Sequence, residues 1–367
     1  MEFSISKESF VSGLKKVVGV VGNRATLPIL MGIKLEIKMD KLQITGSDGD
    51  GTISTLLTAN DGLSVLSDGA VVVPKNIVQT VSKMKDDTIH CRLGEGMIVL
   101  SSKKAEIDFP IQDAEEFPNL PKFNLANPTF VLKGTEFKEL FSRAIVATST
   151  SETRPILTGV NVKASELGIE VVATDSHRLV KEMITGTGEF NVVIAAKAID
   201  IILKTLDVKE DVQFFANNNM IAVRQGMTFY FSRLLEGNYP DVSRLIPSDF
   251  KASVSFAKQE IIDSLELLKE VSEGGTITLE VTPEGIVIQN ATKSQKGKGK
   301  TSPLPFISYD GEEIRFGASI IYLLDALKSL SNEVELLFSE SMRPFIFRNK
   351  GQDTMNHIHL LLPVRTN

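Results

Sequence analysis

PILTGVNVKASELGIEVVATD, residues 155–175, is a rewritten copy of PILMGIKLEIKMDKLQITGSD, residues 28–48. A shift of 127 positions lays Pro28, Ile29, Leu30 and Gly32 on Pro155, Ile156, Leu157 and Gly159. Asp48 falls on Asp175, and the apolar Ile33, Leu35 and Ile44 fall on Val160, Val162 and Val171. A chain that repeats a unit of this size arose by duplication, so its fold is an array of like modules. The match continues outward at offsets of 122 and 123, as loops absorb insertions. Lys75 falls on Lys197, Met97-Ile98 on Met220-Ile221, Phe109 on Phe231, and Phe117-Pro118 on Tyr239-Pro240. A third copy ends the chain: Phe109-Pro110-Ile111 matches Leu362-Pro363-Val364, and Tyr322–Leu330 stands for Ile77–Met84. Three units, 1–121, 122–247 and 248–367, account for the sequence.

Each unit opens with a helix-period segment. Phe10, Leu14, Val17 and Val21 recur at spacings of three and four, as do Phe137, Leu140, Phe141 and Ala144, then Ile261, Leu265 and Leu268. Strand pairs follow at Ile33–Lys38 and Leu42–Gly46, Val160–Ala164 and Ile169–Ala173, and Thr276–Val281 and Gly285–Gln289. The turns between them are too short for parallel crossovers, so the sheets are antiparallel and the class is α+β. Helices with one apolar stripe lie on the sheets. Units in a row present their strand edges in register, which predicts sheet running across unit boundaries and unpaired edges at the two ends.

Composition narrows the function classes. With a single cysteine, Cys91, no internal disulfide framework or Cys-based zinc site is expected. No apolar stretch approaches the ~18 residues of a membrane span, and the first residues lack a secretory layout. The expectation is a cytoplasmic protein with no cofactor and no metal. A net charge of −6 argues against nucleic acid, yet the distribution argues the other way. Lys7, Lys15 and Lys16 stand against Glu8 in the first helical segment, and Lys75, Lys83 and Lys85 share one stretch. Acids gather in connectors such as Asp113-Ala-Glu-Glu116 and in the third unit's first helix. Segregation of charge by face and an ordinary solvated helix surface both fit this pattern.

Six motifs, in order and over the full length, resemble the bacterial DNA polymerase III beta-subunit family. They are Leu27-Pro-Ile-Leu30, Arg154-Pro-Ile-Leu-Thr-Gly159, Ala173-Thr-Asp-Ser-His-Arg-Leu179, Gly237-Asn-Tyr-Pro-Asp241 with Leu245-Ile-Pro247, Ser341-Met-Arg-Pro-Phe345, and Leu362-Pro-Val-Arg365. The resemblance implies a head-to-tail homodimer of three-domain protomers closed into a ring. Twelve helices would line the hole and sheets would form the outside. Such a ring would encircle duplex DNA without reading sequence, because backbone contacts position a protein but carry no base information. It would tether the replicative polymerase and confer processivity.

The same resemblance implies a groove for short clamp-binding peptides of the polymerase, the clamp loader, and repair and ligation factors. Leu157, Thr174, Ser176, His177, Arg178 and Leu179 would build it with Pro240, Arg244, Leu245, Met342 and Pro344. Leu360, Leu361, Leu362, Pro363, Val364 and Arg365 would complete it from the tail. DNA contacts are expected from Arg24, Lys75, Arg154 and Lys197. The protomer contact is expected to join Ile107 to Leu268 and Val271. Glu270 departs from the apolar residue expected beside them. Lys293–Lys300, basic and broken by glycine, has no family counterpart and is read as a hairpin loop, with DNA contact as the alternative.

The competing class is a hydrolase on a repeated scaffold. Asp175 and His177 would share a face of a strand and could form a dyad, with Ser176 nearby. Against it, Asp48 repeats Asp175 while Asp50 replaces the histidine, so turn hydrogen bonding is the expected role of both aspartates. Gly299-Lys300-Thr301 copies the end of a phosphate loop, but Pro303 and Pro305 forbid the helix that should follow. His357 and His359 share a strand face and are expected to be partly exposed rather than metal ligands. Cys91 is expected in a sheet.

Overall fold

The computed structural model describes residues 1–22, 27–186, 188–290, 297–351 and 356–366. Six α-helices occur among them: α1 (Lys7–Val18), α2 (Ile77–Lys83), α3 (Gly134–Ile145), α4 (Ala196–Thr205), α5 (Lys258–Val271) and α6 (Ile320–Ser329). Each repeat runs strand, helix, a series of strands, helix, three strands. The helices form where the sequence places apolar residues at helical spacing. In α1, Phe10, Leu14 and Val17 are buried. Two glycines let that helix sit unusually low on its sheet: a Cβ at Gly13 would lie 2.9 Å from Ile44 Cδ1, and one at Gly46 would lie 2.7 Å from the Val17 carbonyl oxygen.

The chain forms two compact units, one of residues 1–139 and 197–234, the other of residues 140–196 and 235–367. The first holds a five-stranded sheet in which Glu106–Pro110 is an edge strand with one neighbour. It also holds a nine-stranded antiparallel sheet, where Gly51–Leu57 of the first repeat pairs with Thr228–Arg233 of the second, Thr55 opposite Thr228. The second unit carries another nine-stranded sheet, where Arg178–Ile184 pairs with His357–Leu361, Leu179 opposite Leu360. Sheet therefore runs across both repeat boundaries. The rule is the same each time: the third strand after the repeat's first helix takes the last strand of the next repeat.

The third repeat departs from this plan. Its Gly285–Asn290 strand is flanked by the irregular segment 299–304, joined through Asn290 N to Gly299 O (3.1 Å), Thr301 N to Ile288 O (2.9 Å) and Ile286 N to Leu304 O (2.9 Å). Gly299-Lys300-Thr301 is thus a sheet-side segment and not the entry to a helix. Lys293–Lys296 lie outside the described residues. Beneath, Phe256, Leu265, Leu268, Ile277, Leu323, Phe345 and Phe347 form one buried core.

Candidate functional site

The turn at 175–177 is built by one aspartate. Asp175 Oδ1 accepts the backbone N–H groups of His177 (2.8 Å) and Arg178 (3.0 Å). Asp48 does the same in the first repeat, accepting from Asp50 (3.1 Å) and Gly51 (2.8 Å). The other carboxylate oxygens take different cations: Asp175 Oδ2 bonds Arg178 Nε at 3.0 Å, while Asp48 Oδ2 bonds Lys197 Nζ at 2.5 Å. Burial alone would raise the Asp48 carboxyl, but Lys197 and the two amides outweigh it and hold it below the usual range. Residues 175–177 lie between strands, not in one, which removes the shared face on which a dyad would depend. Ser176 adopts φ +78°, the region glycine occupies at Gly49 (φ +99°). Its Oγ accepts a weak bond from Arg154 Nη1 at 3.4 Å.

Around this turn the walls are apolar. Val172, Leu179, Leu337, Ile346, Ile358 and Leu360 form one cluster on the sheet, covered by Tyr239, Val242, Ile246 and Phe250 of the connector. Tyr239 Oη accepts the Thr174 N–H at 3.0 Å, and burial, with the nearby Asp175 charge, pushes its phenol up to about 12. Thr174 Oγ1 donates to the Arg178 carbonyl (2.6 Å), and Leu362 N–H reaches the His177 carbonyl (2.9 Å), tying the tail to the turn. Three large apolar side chains expected in the groove stay in water: Leu245 (52% exposed), Met342 (55%) and Leu362 (37%). A cavity of about 590 Å³ brings Arg244, Leu245 and Pro344 together with Phe250 and Arg343. Ser176, His177 and Arg365 are exposed, and Pro363 and Val364 are half-buried. Leu157, Thr174, Leu179 and Leu360 are buried and can supply only the floor. Leu361 points the other way, into the third repeat's core. Pro240 lines a separate polar recess of about 170 Å³.

Arg178 is pinned more firmly than its motif indicates. Its Nη1 lies 2.5 Å from Asp325 Oδ2, and its guanidinium sits 4.3 Å from the Tyr322 ring centroid. Behind it lies a charged set that sequence reasoning missed. Glu182, 1% exposed, accepts Arg143 Nε at 2.9 Å and faces His357 Nδ1 across the strand pair. His359, expected to be partly exposed, is instead fully buried with Nε2 2.8 Å from Ser329 Oγ. Burial, with the Arg143 and Arg178 charges, drops its imidazole to about 3. One signal was available: Arg178, Val180 and Glu182 alternate onto the same face as core residues, which marks a buried acid.

Of the residues expected at DNA, Arg24 lies outside the described residues. Lys75 precedes α2, Lys197 opens α4, and Arg154 is exposed. Of those expected at a protomer contact, Ile107 is half-buried on its edge strand, Val271 is half-buried, Leu268 is 3% exposed under Gly299, and Glu270 is exposed. Cys91 is buried in the strand Thr88–Leu93, which pushes its thiol far up. Among the described residues no acid, histidine and cysteine cluster could hold a metal ion, and no helix is long and apolar enough to cross a membrane.

Models of the N-terminal, central and C-terminal domains of the DNA polymerase III beta subunit match residues 1–121, 131–241 and 243–365. The chain belongs to the DNA polymerase III beta-subunit family. The beta sliding clamp of Bacillus subtilis is 32% identical over 385 residues, covering 100% of each chain. The crystal structure of the DNA polymerase sliding clamp from the same organism superposes with a TM-score of 0.94 at 31% identity, again over 100% of both chains. The beta subunit from Streptococcus pyogenes gives 0.93 at 29% identity over the same coverage. As a beta subunit the chain serves as a DNA sliding clamp, a processivity factor and not a catalyst, and its three α+β clamp domains are those of the family.

Proposed function

We propose that two copies of this chain join head to tail into a closed ring around duplex DNA. One observation carries the proposal. Both internal seams join the third inner strand of one repeat to the last strand of the next, which leaves two ends unmatched. These are Glu106–Pro110 of the first repeat and the irregular side of the third, where 299–304 flanks Gly285–Asn290. A second copy offers each end the partner it lacks, with Ile107 on one side and Val271 over Leu268 on the other. Closure of this kind also protects exposed sheet edges from indiscriminate pairing. The protomer then has domains 1–121, 122–247 and 248–367, each contributing two helices to the lining.

Duplex DNA passes through that lining and meets Arg24, Lys75, Arg154 and Lys197 through its backbone. Short peptides of the polymerase, the clamp loader and repair or ligation factors lie along Leu245, Met342 and Leu362. The leucine floor supplies affinity there, and the polar turn at 175–177 sets direction. The working compartment is the cytoplasm. The test combines mass and topology. Sedimentation should give twice the chain mass at micromolar concentration, and protein loaded on a nicked circle should stay until the circle is cut. A single-chain mass, or equal retention on circular and linear DNA, overturns the ring.

A further inference from the structure

The cavity of about 590 Å³ beside Leu245 and Pro344 is apolar at one side and charged at the other. One wall is the connector from Arg244 to Lys251, and the other is the turn 339–344 between the strands Glu333–Phe338 and Phe345–Asn349. Two bonds tie the walls together: Lys251 N–H donates to the Phe338 carbonyl (3.0 Å), and Ser339 Oγ donates to the Asp249 carbonyl (2.6 Å). The Arg343 N–H closes the turn on the Glu340 carbonyl at 3.0 Å.

Charge in this recess is unbalanced. Three cations, Arg244, Lys251 and Arg343, line it against two acids, Asp249 and Glu340. Lys251 takes Glu340 at 3.4 Å. Among the described residues neither guanidinium has an ion-pair partner. Both arginines are exposed, and each is the chain neighbour of an exposed apolar residue of the groove, Arg244 beside Leu245 and Arg343 beside Met342. A segment that rests an apolar side chain on Leu245 and Met342 therefore sets its adjoining residues against two unpaired guanidinium groups.

We propose that the recess is an acid-selecting subsite of the peptide groove, in which Arg343 and Arg244 hold the carboxylate of a glutamate or aspartate next to the apolar anchor of the docked segment. This rests on the groove reading and adds a rule of selection to it. An arginine fork meets a carboxylate through two parallel N–H···O bonds, which an amide side chain with its one acceptor oxygen cannot match. The same two cations repel a lysine or arginine at that place, so the subsite rejects as well as attracts.

Paired peptides test it on the full-length protein. Fluorescein-labelled clamp-binding peptides, C-terminally amidated, carry Glu or Gln at each position flanking the apolar anchor, and anisotropy gives Kd for wild type and Arg343→Gln. At one flanking position Glu should bind wild type about tenfold tighter than Gln, an advantage that shrinks as salt rises. In Arg343→Gln the advantage should fall below about twofold, while the Gln peptide binds as before. No preference for Glu at any flanking position, or a preference that survives Arg343→Gln, overturns the subsite. A gain that appears only when the peptide's C-terminus is left free assigns the recess to a terminal carboxylate and overturns the side-chain assignment. Failure of the groove itself would appear separately, as wild-type protein that captures neither peptide, or a Leu362–Asn367 deletion that captures both at full affinity.

Discussion

The two seams between repeats use the same backbone pairing and different side-chain chemistry, most of all on the side that faces the helices. At the first, the sheet face away from the helices sets Ser54 and Thr52 opposite the stacked Phe229 and Phe231, which pack with Leu120, Phe123 and Leu125 of the connector, and a hydroxyl ladder runs beside them within the first repeat, Thr45 to Ser54 at 3.1 Å and Ser47 to Thr52 at 2.9 Å. Its helix side is nearly neutral, with Thr55 and Thr228 joined at 2.9 Å and Lys16 reaching Thr228. At the second, the outer face is Leu179, Ile358 and Leu360, while the helix side holds Arg143, Glu182, His357, His359 and Arg178. Duplication preserved the main-chain ladder, which any sequence of strand residues can satisfy. Side chains were free to specialise, and the helix side of the second seam became charged while that of the first stayed nearly neutral.

The largest test of this contrast is Glu182→Ala. It removes the buried carboxylate that Arg143 and His357 share, and removal of one partner of a buried pair costs about 3–5 kcal/mol. A thermal melt should show the loss. Unchanged stability would mean that the charged side of the second seam is solvated. Next, removing Leu362–Asn367 should weaken capture of a labelled clamp-binding peptide at least about 100-fold, about 2.7 kcal/mol, while the dimer persists in sedimentation. Retained peptide affinity would move the groove elsewhere.

A third test uses acid. His359 titrates at about 3 in the fold against an ordinary 6.5 when unfolded. Between those values the unfolded chain binds the extra proton, so stability should fall as pH drops from 6.5 toward 3. The slope should approach about 1.4 kcal/mol per pH unit, with no contribution from this group above that window. His359→Gln should flatten this limb in pH-dependent melts, and an identical limb would show that other groups dominate. The smallest effect belongs to the first seam. Thr55→Val breaks one neutral hydrogen bond, worth about 1 kcal/mol, and should leave peptide binding untouched.

Local pattern made much of this legible. Periodicity marked the helices, alternation marked the strands, and the doubled Asp48 and Asp175 announced a turn that both residues build in the same way. What stayed hidden depends on partners distant in the chain. Glu182 and His357 meet only because two strands 175 positions apart pair in one register, so no window of sequence holds both. His359 was misjudged for the same reason, since a polar residue on a strand looks exposed until the helix above it is placed. Leu268 likewise lies under the segment at Gly299, a neighbour 31 positions away that no local window shows.

Because each nine-stranded sheet straddles a repeat boundary, the genetic module and the mechanical module of this chain are different objects. An excision at residues 121 and 247 would rip both sheets along their seams and bare four strand margins ready to stick to anything flat. Ancestral tandem copies could have been joined freely only before those ladders knitted together. The middle third can no longer be traded as a spare part.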